Sequence, residues 1–277
     1  MQNNFFKGIR DEIKYQENKQ YLKKIIEKII KDECLENRIN YNDLNLYVIS
    51  TFDYYKNILR NVKFKLGKIT YNISPNNAWG FSDNTNNIIL VFLCNGVINN
   101  IATAIEIAYH EITHYKDKLK LKVDNPLSFA LFMDNQVAIY DQKYYKLNHD
   151  KLIHEIHANL NGVEKAINFI LKNKIQVEKE NLKFLIERSV LFKYDEENYD
   201  FFETFDRFIK VYRKNYDKIK LPEILQVFLN KDGSFKDYND IINNPLIKKE
   251  DMRYCGIMVM VSDTFNREVK IDSKLLK

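Results

Sequence analysis

Residues 110–114 read His-Glu-Ile-Thr-His, inside a segment from about Asn100 to Lys120 whose apolar residues recur with a helical period. Two His four positions apart on a helix lie one turn apart on the same side, so both imidazoles can converge on one point. This constrains the fold more than any other feature, because such a helix needs a core on one side and a recess on the other. Ile101, Ile105, Ala108, Ile112, Tyr115 and Leu119 form the apolar stripe. His110 and His114 lie opposite, in a row with Thr103, Glu106, Ile107, Asp117 and Leu121. That row is mixed rather than uniformly charged, as on a helix lining a cleft.

Paired imidazoles at this spacing are a metal-binding pattern, and the Glu beside the first His is placed to act on water rather than to bind the ion. Zn2+ is the expected cofactor, with His110 and His114 as ligands. The plain alternative is two solvent-facing His on an ordinary helix. A catalytic zinc takes three protein ligands and keeps a position open. All 5 His fall between positions 110 and 157, the others being His149, His154 and His157. The segment from Asp150 to Asn159 therefore offers His154, Glu155 and His157 as the third ligand. Ile153, Ile156, Leu160, Val163, Ile167 and Ile170 form the buried stripe of a second helix. Glu155 sits on one flank with Leu152, Asn159, Gly162 and Ala166; His157 sits on the other with Asp150, Asn161, Glu164 and Asn168. The first flank is smaller and more apolar, and better suited to press on another helix. Glu155 is the expected third ligand, His157 the alternative, and His154 an expected exposed polar residue. Asn159 faces the same way as Glu155 and is expected to hydrogen-bond a ligand imidazole. Gly162 removes a side chain where the helices approach. Asp117 and Glu106 flank the His pair, either to orient an imidazole or as plain solvated charges.

An HExxH helix followed by a second helix that supplies Glu, with Asn one turn later, resembles the gluzincin arrangement of zincin metallopeptidases. More narrowly, Glu155-Ile-His-Ala158-Asn159 is similar to the Glu-x-x-Ala-Asn element of the ImmA/IrrE-like metallopeptidases. The resemblance covers about residues 100 to 172. Thr113 stands where that family often has Gly, and 41 positions separate His114 from Glu155, a long gap. The resemblance implies Zn2+ on His110, His114 and Glu155, with Asn159 behind them. It also implies Glu111 as general base on a zinc-activated water, and a protein or peptide substrate, transcriptional regulators among them. Tyr109, Tyr144, Tyr145 and His157 are the candidates to steady a developing oxyanion. In zincins a strand at the sheet edge before the metal helix binds substrate backbone by strand addition. The opposing expectation is a non-catalytic zinc-binding or pseudo-peptidase protein that regulates or binds a partner.

Glycine is scarce at 7 and proline at 4 in 277 residues, which leaves little turn punctuation and favours long helices. The expected fold is α+β and predominantly helical: a small sheet, then the metal-binding helix, then a second ligand helix. With 45% hydrophobic and 29% charged residues the chain is expected to fold. The net charge of +5 comes from Lys interleaved with Asp and Glu, so nucleic acid is not indicated. Cys34, Cys94 and Cys255 are far apart, with no CxxC, which argues against a disulfide framework or a cysteine zinc site. There is no signal-peptide pattern, and the longest apolar run, Ile88 to Cys94, is too short to span a bilayer. A cytoplasmic protein without a membrane partner is expected.

Along the chain, residues 9 to 38 read as a helix with Tyr21, Ile25, Ile26, Ile29 and Ile30 inside. Leu44 to Ile49 reads as a strand, and Ser50 or Thr51 caps a helix to about Arg60. Lys68 to Ile73 and Ile88 to Leu93 read as strands joined by a loop, with Trp79 in that loop as a core anchor. Pro126 opens a helix to about Tyr145, and Asp150 caps the second ligand helix. Helices follow over 177–193, 196–218 and 222–230, then a turn at Lys231. Ile257 to Val261 is strand or helix. The domains read as an N-terminal helical region over 1–62, a zincin-like core over 63–172 and a mostly helical region over 173–277.

Overall fold

The computed structural model describes residues 2–76, 78–94, 96–120 and 125–245. The fold is α+β with helices predominant. It forms two compact units. The first takes Met1–Leu119 and His157–Asp195, and the second takes the described parts of Lys120–Ile156 and Glu196–Lys277.

The first unit is built on three strands in the order β1 (Asn45–Ser50), β5 (Ile88–Leu93), β4 (Gly80–Asp83), with β1 parallel and β4 antiparallel to β5. All six residues of β5 are buried. A continuous apolar run is what a central strand covered on both faces requires. Ile89, Val91 and Leu93 pack in one cluster with α1 (Gln2–Glu36), α3 (Ile101–Lys120) and α6 (Ile153–Lys172). Ile88, Leu90 and Phe92 pack in another with Tyr54, Phe64 and Leu66. Each such side chain removed from water is worth about 1.5–3 kcal/mol. Ser50 caps α2 (Thr51–Asn61): its hydroxyl accepts the Asp53 amide at 3.3 Å, and the Asp53 carboxylate accepts the Ser50 amide at 3.2 Å. A hairpin of β2 (Lys65–Leu66) and β3 (Ile69–Thr70) follows. Helix α7 (Lys179–Glu197) joins the core through Leu185.

Several sequence expectations shift. Within Lys68–Ile73 just Ile69–Thr70 is strand, and β4 lies in the stretch read as loop. Trp79 is no core anchor. It is 49% exposed at the entrance to β4, where its carbonyl accepts the Phe92 amide at 2.8 Å. The buried side of α1 is Leu22, Ile26, Ile29, Ile30 and Cys34, rotated so that Tyr21 faces out.

The second unit holds α4 (Pro126–Tyr140), α5 (Gln142–Asn148), the start of α6, α8 (Phe201–Asn215), α9 (Glu223–Gln226) and α10 (Tyr238–Ile242). Its core includes Phe129, Met133, Val137, Phe205, Phe208 and Tyr212. The single helix expected to reach Tyr145 breaks at Asp141, whose carboxylate accepts the Tyr144 amide at 3.1 Å and so starts α5. The expected turn carries Gly233 at φ +84, beneath a bridge from Leu229 to Phe235. Sequence boundaries at 62 and 172 follow pattern changes along the chain. The compact units differ from them, because α4 and α8 pack together although far apart in sequence. Cys34 and Cys94 are free and buried; Cys255 and Ile257–Val261 lie outside the described residues. Among the described residues no helix is long and apolar enough to cross a membrane.

Candidate metal centre

Helix α3 starts where the Asn100 side chain accepts the Thr103 amide at 3.2 Å. Ile105, Ala108, Ile112 and Tyr115 enter the core, while Ile101 is half-buried and Leu119 exposed, so the stripe is shorter than its sequence suggests. Glu106, Ile107 and His114 on the other side are buried as well. The rings of His110 and His114 stand edge to face, with centroids 4.6 Å apart and Nε2 atoms 3.0 Å apart. Glu155 is buried too, and one ligand atom from each of His110, His114 and Glu155 lies within 4.8 Å of the other two. The group can hold a metal ion. Two nitrogens each 2.0–2.1 Å from a tetrahedral zinc would stand about 3.3 Å apart. The observed Nε2 separation is within a few tenths of an ångström of that, and a two-imidazole, one-carboxylate set is of the right chemistry.

Gly162 sets the spacing of α3 and α6. A Cβ there would stand 3.1 Å from the Glu106 carbonyl oxygen and 3.3 Å from His110 Cβ. Glu155 lies two turns earlier on the same helix. The start of α6 is held by Asp134 of α4, whose Oδ2 accepts the Ile153 amide at 2.6 Å. Asp150, the expected cap, is instead exposed and bonds His149 Nδ1 at 2.8 Å. Asp134 is fully buried and pairs with Arg207 at 2.9 Å. Burial pushes its carboxyl above the usual range, while the charges of His154 and Arg207 pull it back.

Oε1 of Glu155 gathers three neighbours. The Tyr145 hydroxyl donates to it at 3.0 Å, His149 Nε2 stands at 3.2 Å and His154 Nε2 at 3.3 Å. The bond to Glu155, with Asp150 adding and burial opposing, pushes His149 up to about 9. His154 corrects an expectation: it is buried and stacks on Tyr145 with centroids 5.9 Å apart. Its surroundings come from α4 and α5, which helical periodicity alone does not register. His157 stands outside the group, with Nε2 3.7 Å from Asp117 Oδ2 and 3.0 Å from Asn161 Nδ2. Glu106 is ion-paired to Arg188 rather than orienting an imidazole. Asn159 is half-buried, and among the described residues no hydrogen bond joins it to either imidazole. Of the hydroxyls considered, Tyr145 is at the group, Tyr109 packs on Phe169, and Tyr144 lies under Arg207 at 4.7 Å.

Glu111 is 5% exposed. Strand β4 passes directly over it: a Cβ on Gly80 would fall 2.6 Å from Glu111 Cγ and 2.7 Å from its Cδ. Sequence reasoning missed both Gly80 and Asp134. The available signals were a Gly at the head of the short alternation Phe81-Ser-Asp, and a lone acid inside the apolar run Leu131-Phe-Met-Asp. Comparison with protein-family models, with curated proteins and with solved structures finds no significant match.

Proposed function

We propose that this chain is a zinc-dependent peptidase of zincin type, with Zn2+ on His110, His114 and Glu155. The observation that carries the reading is the convergence of those three residues beside a buried Glu111 that abuts an edge strand. When bound, the ion supplies Lewis-acid polarisation of a carbonyl and lowers the pKa of water. Glu111 takes the proton of the attacking water and passes it to the leaving amine. Tyr145, whose hydroxyl donates to Glu155, would turn that hydroxyl to an oxygen that gains negative charge. Among the described residues β4 is an edge of its sheet, where an extended peptide could bind by strand addition. The substrate class is a protein or peptide, and a transcriptional regulator is the candidate drawn from the family resemblance.

The test is metal analysis of the purified protein with a peptide-library digest. Stoichiometric zinc and cleavage are expected. Glu111→Gln should lower the rate by roughly 10²–10⁴ with zinc retained, and His110→Ala should lose the zinc. Absence of stoichiometric zinc, or a Glu111→Gln variant that cleaves like the parent, would overturn the reading. Bound zinc with no cleavage would favour the interaction-protein alternative.

A further inference from the structure

Helix α2 turns its apolar side outward. Phe52, Tyr55 and Leu59 are 65%, 52% and 86% exposed, and their spacing of three and four residues makes one stripe, followed by the C-cap Val62 at 86%. On its inner side Tyr54 alone is fully buried. The stripe is bordered by cations. Lys56 and Arg60 continue the exposed arc, and Lys56 Nζ lies 5.8 Å from the centre of the Phe52 ring. From Phe52 to Lys68 the chain carries five basic residues and one acid, Asp53. That acid is already engaged, 2.7 Å from Lys19 and hydrogen-bonded to Ser50. Val62, at the end of the stripe, has φ +66. A β-branched residue in the left-handed region is strained, and at 86% exposure Val62 gains no packing within the fold to offset that. Glycine would fit the backbone better.

We propose that α2 docks the protein on an anionic membrane surface. Phe52, Tyr55, Leu59 and Val62 would enter the boundary between headgroups and acyl chains. Lys56 and Arg60 would lie at the phosphate level, their stems along the apolar layer and their charges outward. Charge complementarity selects this occupant: a second copy of the chain would bring the same cations against one another, whereas anionic lipid neutralises them. The expectation of no membrane partner rested on spanning segments alone, and a helix lying in the interface needs none. The proposal does not depend on the peptidase reading.

The experiment is co-sedimentation of the full chain with phosphatidylcholine vesicles, with and without phosphatidylserine. Binding is expected to the anionic vesicles, to weaken with salt, and to fall roughly five-fold per basic residue removed. Leu59→Ser with Val62→Gly should lose binding, as should Lys56→Glu with Arg60→Glu, while Lys56→Arg should keep it. These positions are exposed, and each variant's melting curve checks that it is folded. Equal binding to neutral and anionic vesicles, or parent-like binding by either double variant, would overturn the proposal. So would Leu59-dependent self-association without vesicle binding, which would assign the stripe to a second copy.

Discussion

At Gly80 strand β4 and Glu111 meet so closely that a methyl group would displace the carboxylate. The backbone there is not in the left-handed region, so alanine strains nothing locally. The atoms in its way belong to Glu111, which is buried, and they include Cγ near the root of its side chain. Gly80→Ala should therefore cost about 1–3 kcal/mol of stability, while cleavage falls by at least ten-fold with zinc still bound. Parent-like cleavage by this variant would show that the observed position of Glu111 is not its working one. The readable part of the site was the local part. His110, Glu111 and His114 are fixed by spacing within one helix, and Glu155 follows from which flank of the second helix is small and apolar. Gly80 was not readable as a partner of the site, and Tyr145 was one of four candidates that the sequence did not rank, because each contact joins segments that no sequence period relates.

Helix α6 shows how one element depends on another. Its first amide is satisfied by Asp134, a buried acid on α4 that also holds Arg207. Removing Asp134 leaves the Ile153 amide without its acceptor and leaves Arg207 to Glu203, an exposed acid 3.2 Å away. Asp134→Ala should cost about 3–5 kcal/mol in urea unfolding, and Asp134→Asn less, since an amide oxygen still accepts from Ile153. An unchanged urea midpoint for Asp134→Ala would mean that Glu203 suffices for Arg207 and that the Asp134 cap adds nothing. The sequence pointed to Asp150 for this cap because caps are usually sought just before a helix. A cap delivered from nineteen residues upstream is a tertiary contact, invisible to a local rule. Where caps were local they were legible, as at Ser50.

Across the first unit, α1, α3 and α6 are joined by a buried charge cluster. Glu33 lies 2.6 Å from Lys116 Nζ and also accepts from Lys165. Burial alone would raise the Glu33 carboxyl, but the two ammonium groups outweigh it and hold the group below its ordinary value. Burial also lowers Lys116, so the cation depends on its partner. A depressed carboxylate stabilises the fold above its unfolded pKa and loses that contribution as pH falls through the folded value, which lies under 4.5. Glu33→Gln should thus be less stable than the parent near neutral pH, by on the order of 3 kcal/mol. The gap should shrink as pH falls below 4.5, as measured by urea unfolding at each pH; a gap that stays constant would assign the loss to packing. At this scale the sequence disclosed the helical bias, through scarce Gly and Pro, and the central strand, through its unbroken apolar run. It did not disclose which distant helices share a unit.

The bare backbone at Gly162 has an evolutionary corollary. A bulkier residue there would wedge two cylinders apart while every letter of the HExxH signature stayed in place. Such a descendant would satisfy any pattern scan with its two imidazoles and its carboxylate drawn apart, so the vulnerable letter of this candidate centre lies seven residues downstream of Glu155, in a position no motif records.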